Sequence, residues 1–145
     1  MKIRKGKLKD LEELYKILNE TPELYGGNYE GEVYRKKEVK SILTNRKTDL
    51  VLIAEEDKKI VGFLIAEMSK KKESSYLADI YVKPYYRKKG VASKLLEEYE
   101  NICKKMNIEE IIGLTLKTNE KMHSFMEKNK YKRGKELIQF EKRIK

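Results

Sequence analysis

Apolar residues recur at helical spacing in four stretches of this chain, with charged residues between them. The first stretch runs from residue 8 to about residue 20, and the second from Tyr34 to about Asn45. The third, from Gly90 to about Asn107, has the most regular pattern, and the fourth is a short stretch that Asn119 can cap. The pattern therefore predicts about four amphipathic helices.

Runs rich in β-branched and apolar residues lie between these helices and predict the strands of a sheet. The predicted strands are residues 3–5, 50–55, 60–68, 75–82, 110–116 and 136–144. In the order β-α-α-β-β-β-α-β-α-β, only the strands that flank the long third helix need be parallel, since that connection has the length of a crossover. We predict an α/β (α+β) fold in a single domain over residues 1–145, with a mixed, mostly antiparallel sheet of about six to seven strands and about four helices.

The composition argues against a nucleic-acid partner despite a strongly basic chain. The 145 residues are 39% hydrophobic and 40% charged, and the formal net charge is +10. Six of the 34 basic residues are arginine, and the cations are spread over the whole chain. A nucleic-acid surface would gather its cations in one patch with arginine and aromatic residues, so we predict no specific nucleic acid. A surface rich in lysine and glutamate is typical of thermophile proteins.

The sequence also predicts neither a membrane-spanning segment nor a reactive cysteine. No apolar run approaches the length of a membrane span and the N-terminus leads straight into polar sequence, so we expect a cytoplasmic protein. Cys103 is the only cysteine, which excludes an internal disulfide and a cysteine-cluster metal site. It falls on the apolar side of the third predicted helix, where an inert buried thiol is expected.

The stretch Asp79–Leu96 reads DIYVKPYYRKKGVASKLL and carries the clearest chemical signal of the chain. It combines a strand, a sharp turn at Pro84, three successive cations and the start of a helix at Gly90. A helix start exposes free backbone N–H groups, its dipole favours negative charge, and glycine lets an anion approach the backbone. The G-x-x-x-x-G-K-[ST] and G-x-G-x-x-G phosphate loops are absent. The stretch therefore predicts a polyphosphate site of another kind.

The run R-x-x-G-x-A, from Arg87 to Ala92, resembles the acyl-CoA diphosphate loop Q/R-x-x-G-x-G/A of the GCN5-related N-acetyltransferase (GNAT) family. A V-x-P-x-Y sequence precedes the run, as it often does in that family. The predicted element order is also that of the family, so the resemblance covers nearly the whole chain. It implies the acyl-CoA N-acyltransferase fold and acetyl-CoA as the cofactor.

The resemblance also implies which residues contact the cofactor. The end of one strand would pair its backbone with the pantetheine arm and offer an N–H to the thioester oxygen. The implied contacts are Ile80, Tyr81 and Val82 at the strand end, Arg87, Lys88, Lys89, Gly90, Val91 and Ala92 in the diphosphate loop, and Asn119 and Phe125 on a late helix. A plain N-cap role for Asn119 is equally compatible with its position.

The chain departs from the family where the general acid usually stands. Seven residues after Asn119 the family places a tyrosine that protonates the leaving thiolate, and here that residue is Met126. The glycine expected before Tyr131 is Lys130. A water, His123 or a tyrosine from elsewhere could serve instead, or the thiolate could leave unassisted, because a thiol pKa of about 8.5 makes a tolerable leaving group.

Two carboxylates on predicted strands are candidates for the base that removes a proton from the attacking amine. Asp79 lies one residue before the strand end at Ile80. Glu67 lies near the end of the preceding strand and could pair across from Asp79. Tyr81 has the strand parity of Asp79 and is a further polar candidate. Each could instead be a solvated residue of the sheet, and an ordered water could carry the proton.

The segment Glu20–Glu32 carries four glutamates and no lysine or arginine, with Tyr25 and Tyr29 among them. Such a segment suits a cationic amine, although a solvated loop has the same composition.

We predict an acetyl-CoA-dependent N-acetyltransferase, monomeric or homodimeric, in which an amine attacks the thioester directly in a ternary complex. The acceptor could be a small amine, a polyamine, a lysine side chain or a peptide N-terminus. The alternative, favoured by Met126, is a CoA-binding sensor without turnover.

Overall fold

Five strands and four helices make up the described part of the computed structural model, which covers residues 1–24, 32–69, 71 and 73–144. The strands are β1 (Lys2–Lys5), β2 (Asp49–Glu56), β3 (Lys59–Ser69), β4 (Ser74–Val82) and β5 (Glu110–Gly113). The helices are α1 (Leu11–Glu20), α2 (Lys36–Thr44), α3 (Val91–Lys105) and α4 (Glu120–Lys128). None of the helices within these ranges is long and apolar enough to cross a membrane.

The described chain divides into two compact units, Met1–Leu114 and Thr115–Lys145. The first unit holds the whole sheet, and the second holds α4. That residues 1–145 act as a single domain stays a prediction.

The strands form one mixed sheet in chain order, β1-β2-β3-β4-β5. Neighbours among the first four strands are antiparallel, whereas β4 and β5, which α3 connects, run parallel. The predicted fold class and the predicted place of the parallel pair are therefore confirmed. The predicted count of six to seven strands is wrong, because the described residues form five.

The strand predicted at residues 136–144 accounts for the difference. Described residues 129–144 contain no strand, and the apolar side chains among them are between 68% and 91% exposed. These side chains are Leu137, Ile138, Phe140 and Ile144. Ile138, Phe140 and Ile144 alternate with polar residues as in a strand, but alternation alone does not make a strand without a neighbour that pairs with its backbone. β5 likewise ends at Gly113 rather than at the predicted Leu116.

One face of the sheet is covered by α1 and α2, and we call it the α1 face. The buried residues of this layer include Leu14, Leu18, Val39 and Leu43 on the helices and Val51, Ile53, Phe63 and Ile65 on the strands. Because alternate residues of a strand share a face, Glu67 follows Phe63 and Ile65 onto the α1 face of β3. This parity brings acidic residues to the edge of the apolar layer.

The opposite face is covered by α3, which contacts β2, β3 and β4. The hydroxyl of the buried Tyr99 donates to the Ser75 hydroxyl oxygen at 2.6 Å and ties α3 to β4. Cys103 is buried beside them, and burial raises the pKa of its thiol. The predicted burial of this thiol is therefore confirmed, whereas a nucleophilic cysteine needs a lowered pKa and access.

The end of α4 has the backbone conformation that the glycine of the family pattern would favour. Lys130 has a φ of 68°, and the N–H of Tyr131 donates to the Met126 carbonyl at 3.0 Å, as in a Schellman motif. A side chain in this left-handed region costs about 1 kcal/mol. We therefore expect Lys130→Gly to raise the free energy of unfolding by about 0.5–1 kcal/mol, measured by urea denaturation.

The matched control is Lys128→Gly, in the last turn of the same helix. It should lower the free energy of unfolding by about 0.5–1 kcal/mol, because its backbone is helical. A Lys130→Gly protein that is no more stable than the wild type would show that the left-handed residue carries no strain.

Candidate functional site

The chain leaves β4 at Val82 and reaches α3 through a tight connection. Pro84 opens a 3-10 turn, Pro84–Tyr86, where its fixed φ suits the first position. Lys88 and Gly90 then both take the left-handed conformation, with φ of 59° and 80°. Gly90 is the N-cap of α3, and its carbonyl accepts a hydrogen bond from the N–H of Lys94 at 3.0 Å. The N-terminus of α3 is therefore presented immediately after the end of β4.

The first turn of α3 offers backbone donors to an anion. The N–H groups of Val91, Ala92 and Ser93 have no intrahelical acceptor, as at the start of any helix. Left-handed residues at positions 88 and 90 add a concave run of backbone to the positive end of the helix dipole. A Cβ built on Gly90 would meet no atom within 4 Å, so this side of the loop is open. We call residues 87–92 the cradle, and its donors and shape fit a diphosphate.

The three cations of the cradle differ in what they contact. Lys88 and Lys89 are exposed, and the Lys89 Nζ lies 4.4 Å from the centroid of the Tyr85 ring. Arg87 instead points back along β4. Its Nε donates to the Val82 carbonyl at 2.8 Å, and its Nη2 donates to Glu23 Oε1 at 2.6 Å.

The edge of β4 that precedes the cradle is open. β5 pairs with β4 only along Ser74–Leu77, so in the described part of the chain the later residues of β4 have a strand partner on the β3 side alone. The register between β3 and β4 shifts at Ala78, an extra residue that forms a β-bulge. The backbone of Ile80–Val82 is therefore free on one side and fits an extended ligand arm that adds to the sheet as a strand.

Asp79 follows the bulge directly and lies opposite Ile65 on the α1 face. Burial raises the pKa of its carboxyl to about 6. Burial, together with the charge of Asp79, raises the pKa of Tyr34 to about 12. Burial and the charges of Asp79 and Glu67 also raise the pKa of Tyr76. A carboxylate that titrates near neutral pH is suited to accept a proton from a substrate.

Two further carboxylates lie on the same face. Glu67 is exposed on β3 and pairs in register with Asp49 of β2 and with Tyr76 of β4. The expected pairing of Glu67 with Asp79 is therefore wrong, because the bulge shifts the register and places Asp79 opposite Ile65. Burial raises the pKa of Asp49, a hydrogen bond from the Thr48 hydroxyl lowers it, and the charge of Glu67 raises it further. We call Asp49, Glu67 and Asp79 the acidic patch, which stands out in a protein of net charge +10.

Tyr81, the third catalytic candidate from the sequence, serves as a packing surface. Its ring lies 5.6 Å from that of Phe63, centroid to centroid, and the Arg87 guanidinium carbon lies 5.6 Å from its centroid. A cleft between the end of α1 and the end of β4 is lined by Glu13, Lys16, Ile17, Glu20, Thr21, Tyr81 and Lys83. A catalytic role for Tyr81 stays a prediction.

Comparison with known proteins decides the family. The sequence model of the Acetyltransferase (GNAT) family matches residues 11–131. This chain belongs to that family. A comparison with curated proteins found no match.

Solved structures share the fold of this GNAT protein. The PaiA N-acetyltransferase of Thermoplasma acidophilum, solved with coenzyme A, is 28% identical over 88% of this chain and 87% of that chain, with a TM-score of 0.78. The aminoglycoside 6'-N-acetyltransferase AAC(6')-IG of Acinetobacter haemolyticus is 21% identical over 100% of both chains, with a TM-score of 0.81. AAC(6')-Iy, solved with a bisubstrate analogue, is 19% identical over 98% of this chain and 97% of that chain, with a TM-score of 0.81.

The GNAT residues predicted on the late helix lie in the second unit. Asn119 is the N-cap of α4, and its Oδ1 accepts a hydrogen bond from the N–H of Met122 at 3.2 Å, so the capping role is confirmed. Phe125 and Met126 are half-buried. His123 holds its Nε2 3.0 Å from the Leu116 carbonyl oxygen, a contact within this unit. Contacts of Asn119 and Phe125 with the cofactor stay predictions.

The acidic segment Glu20–Glu32 is described only at its two ends. Glu23 pairs with Arg87, and Glu32 accepts a hydrogen bond from the Tyr15 hydroxyl. Tyr25, Tyr29 and Glu30 lie outside the described residues. Two of the four glutamates therefore already have partners in this GNAT protein.

Three residues of the site were missed by the sequence reasoning, namely Asp49, Tyr34 and Tyr76. A signal for Asp49 was available, because the register of the β2–β3 hairpin places it opposite Glu67. Tyr76 shares the parity of the acidic patch only because the bulge at Ala78 shifts the register. Tyr34 comes just before α2, and periodicity does not reveal how α2 packs on the sheet.

Proposed function

We propose that this GNAT protein moves the acetyl group of acetyl-CoA to a primary amine in a ternary complex. The observation that carries the proposal is that the cradle and a carboxylate of raised pKa lie on one continuous stretch, Asp79–Ala92. The coenzyme A bound to the Thermoplasma relative supports acetyl-CoA as the second substrate. The cradle would hold its diphosphate, and the open edge at Ile80–Val82 would hold its pantetheine arm.

Asp79 accepts a proton from the acceptor ammonium, directly or through a water, and the neutral nitrogen attacks the thioester carbonyl carbon. A backbone N–H at the open edge of β4 donates to the carbonyl oxygen as negative charge develops there. The carbon–sulfur bond then breaks, its electron pair leaves on sulfur, and the second nitrogen proton passes to solvent. Met126 cannot donate a proton, so the thiolate leaves as an anion, which its pKa of about 8.5 permits.

The acidic patch favours a cationic acceptor. Asp49 and Glu67 lie on the same face as Asp79, where they would attract further ammonium groups of a polyamine or an aminoglycoside-like amine. The names of two structural relatives, both aminoglycoside acetyltransferases, support small polycationic amines as the first acceptors to test.

An assay of free-thiol release from acetyl-CoA tests this function with a panel of amines. The panel would include spermidine, sisomicin, a lysine-containing peptide and a peptide with a free N-terminus. We expect release above the amine-free rate with at least one polycationic amine. Release with neutral amines only would contradict the role given to the acidic patch.

A CoA-binding sensor is the second candidate, because Met126 stands where the family places its general acid. Tight CoA binding without thiol release across the whole panel would favour the sensor. Absence of CoA binding would contradict both functions.

A further inference from the structure

Arg87 is the one cation of the cradle whose charge is already paired in the described residues. Its guanidinium contacts three groups at once: the Val82 carbonyl, the Tyr81 ring and the Glu23 carboxylate. Tyr81 packs against the layer of α1 and α2. Arg87 is therefore held on the α1 face of the sheet. The opposite face is covered by α3, whose first residues belong to the cradle.

Glu23 approaches Arg87 from a distant part of the chain. It lies in the 3-10 turn Pro22–Leu24, directly after α1, and it is 52% exposed while Arg87 is 39% exposed. A charge pair this exposed contributes little to folding stability. It does, however, place a negative charge within hydrogen-bond distance of a cation that belongs to the cradle.

We infer that Glu23 is a positioning residue that competes with the diphosphate of CoA for Arg87. This inference rests on the proposed function and deepens it. By pairing with Arg87, Glu23 turns the guanidinium toward the α1 face and offsets its charge, which lowers the affinity of the cradle for CoA. A lower affinity for the product helps CoA to leave after acetyl transfer, because bound ligand dissociates faster when its charge contacts are weaker.

The test is the dissociation constant of CoA for Glu23→Gln, measured by calorimetry at two salt concentrations. Glutamine keeps a hydrogen-bond acceptor for Arg87 but removes the charge. We expect Glu23→Gln to bind CoA about two- to fivefold more tightly than the wild type at about 50 mM salt. The gain should disappear at about 500 mM salt, since screening removes charge effects but not a structural change.

Three controls separate competition from a structural effect. Pantetheine, which lacks the diphosphate, should bind both proteins equally. Glu127→Gln should leave CoA affinity unchanged, because Glu127 is 49% exposed and its charge is paired with Arg133 at 2.7 Å. Glu23→Asp keeps the charge and should resemble the wild type.

A double-mutant cycle tests the dependence on Arg87. In an Arg87→Gln background, Glu23→Gln should no longer tighten CoA binding. A Glu23→Gln protein that binds CoA as the wild type does, or more weakly, would overturn the inference and leave the proposed function intact. A wild type that does not bind CoA would overturn the proposed function as well.

Discussion

Asp79→Asn is expected to lower kcat about 100- to 10,000-fold with an active amine, because asparagine cannot accept the proton of the attacking ammonium. The same change should raise the free energy of unfolding at pH 7.5 by about 1–3 kcal/mol. Burial raises the pKa of Asp79 to about 6, so the folded protein at neutral pH carries the cost of a poorly solvated charge. Loss of activity with gain of stability distinguishes a catalytic carboxylate from a structural one.

The pH dependence follows from the same shift. The pKa of Asp79 is about 6 in the folded protein and about 4 in the unfolded chain. The protonated carboxyl therefore stabilises the folded protein fully below about pH 4, and this contribution is lost as the pH rises through about 6. The stability advantage of Asp79→Asn should therefore be present at pH 7.5 and disappear at about pH 4. The wild-type kcat/KM should rise with an apparent pKa of about 6, since Asp79 must be ionised to accept a proton.

Asp57→Asn is the matched control for this variant. Asp57 is exposed in the turn between β2 and β3 and has a φ of 49°, which asparagine tolerates well. It should keep wild-type activity and wild-type stability at both pH values. If Asp79→Asn retains kcat while Glu67→Gln loses it, Glu67 is the base and the role assigned to Asp79 is wrong.

Gly90→Ala is expected to weaken CoA binding by about 10- to 100-fold, which corresponds to one charge-assisted hydrogen bond lost at the cradle. The added methyl group would project into open space, where the structure has no atom within 4 Å and where a phosphate would approach the backbone. The φ of 80° also strains an alanine by about 1 kcal/mol, so the free energy of unfolding should fall by about that amount.

Gly134→Ala serves as the control, because its Cβ also meets no atom within 4 Å but its φ is not in the left-handed region. It should alter neither CoA affinity nor stability appreciably. Calorimetric titration with CoA and urea denaturation measure the two quantities separately. A Gly90→Ala protein that loses stability but binds CoA normally would mean that this glycine serves the backbone alone.

Much of the fold was predictable because its core elements carry strong periodic patterns. The apolar stripe of α3 and the apolar runs of the three antiparallel strands before it were recognisable in the sequence, because each of these elements buries one face or both. The tail at residues 136–144 shows where this reasoning fails. Ile138, Phe140 and Ile144 alternate with polar residues as a strand would, but a strand forms only when a neighbour pairs with its backbone, which this local pattern cannot reveal.

The candidate site was predictable as a chain segment but not as a set of contacts. Arg87–Ala92 was recognisable because its glycine, cations and helix start follow one another in sequence. The direction of the Arg87 side chain was not, because it depends on Glu23, which lies 64 residues away. The sequence also left Asp79 and Glu67 as alternatives, and burial favours Asp79 as the base, since Glu67 is exposed.

The most direct test of the central claim compares CoA with pantetheine by calorimetric titration of the wild-type protein. If the cradle at residues 87–92 holds a diphosphate, CoA should bind with a dissociation constant of about 1–100 μM and at least about 100-fold more tightly than pantetheine. Absence of heat on adding CoA, or equal affinities for the two ligands, would contradict the assignment of these residues as a diphosphate site.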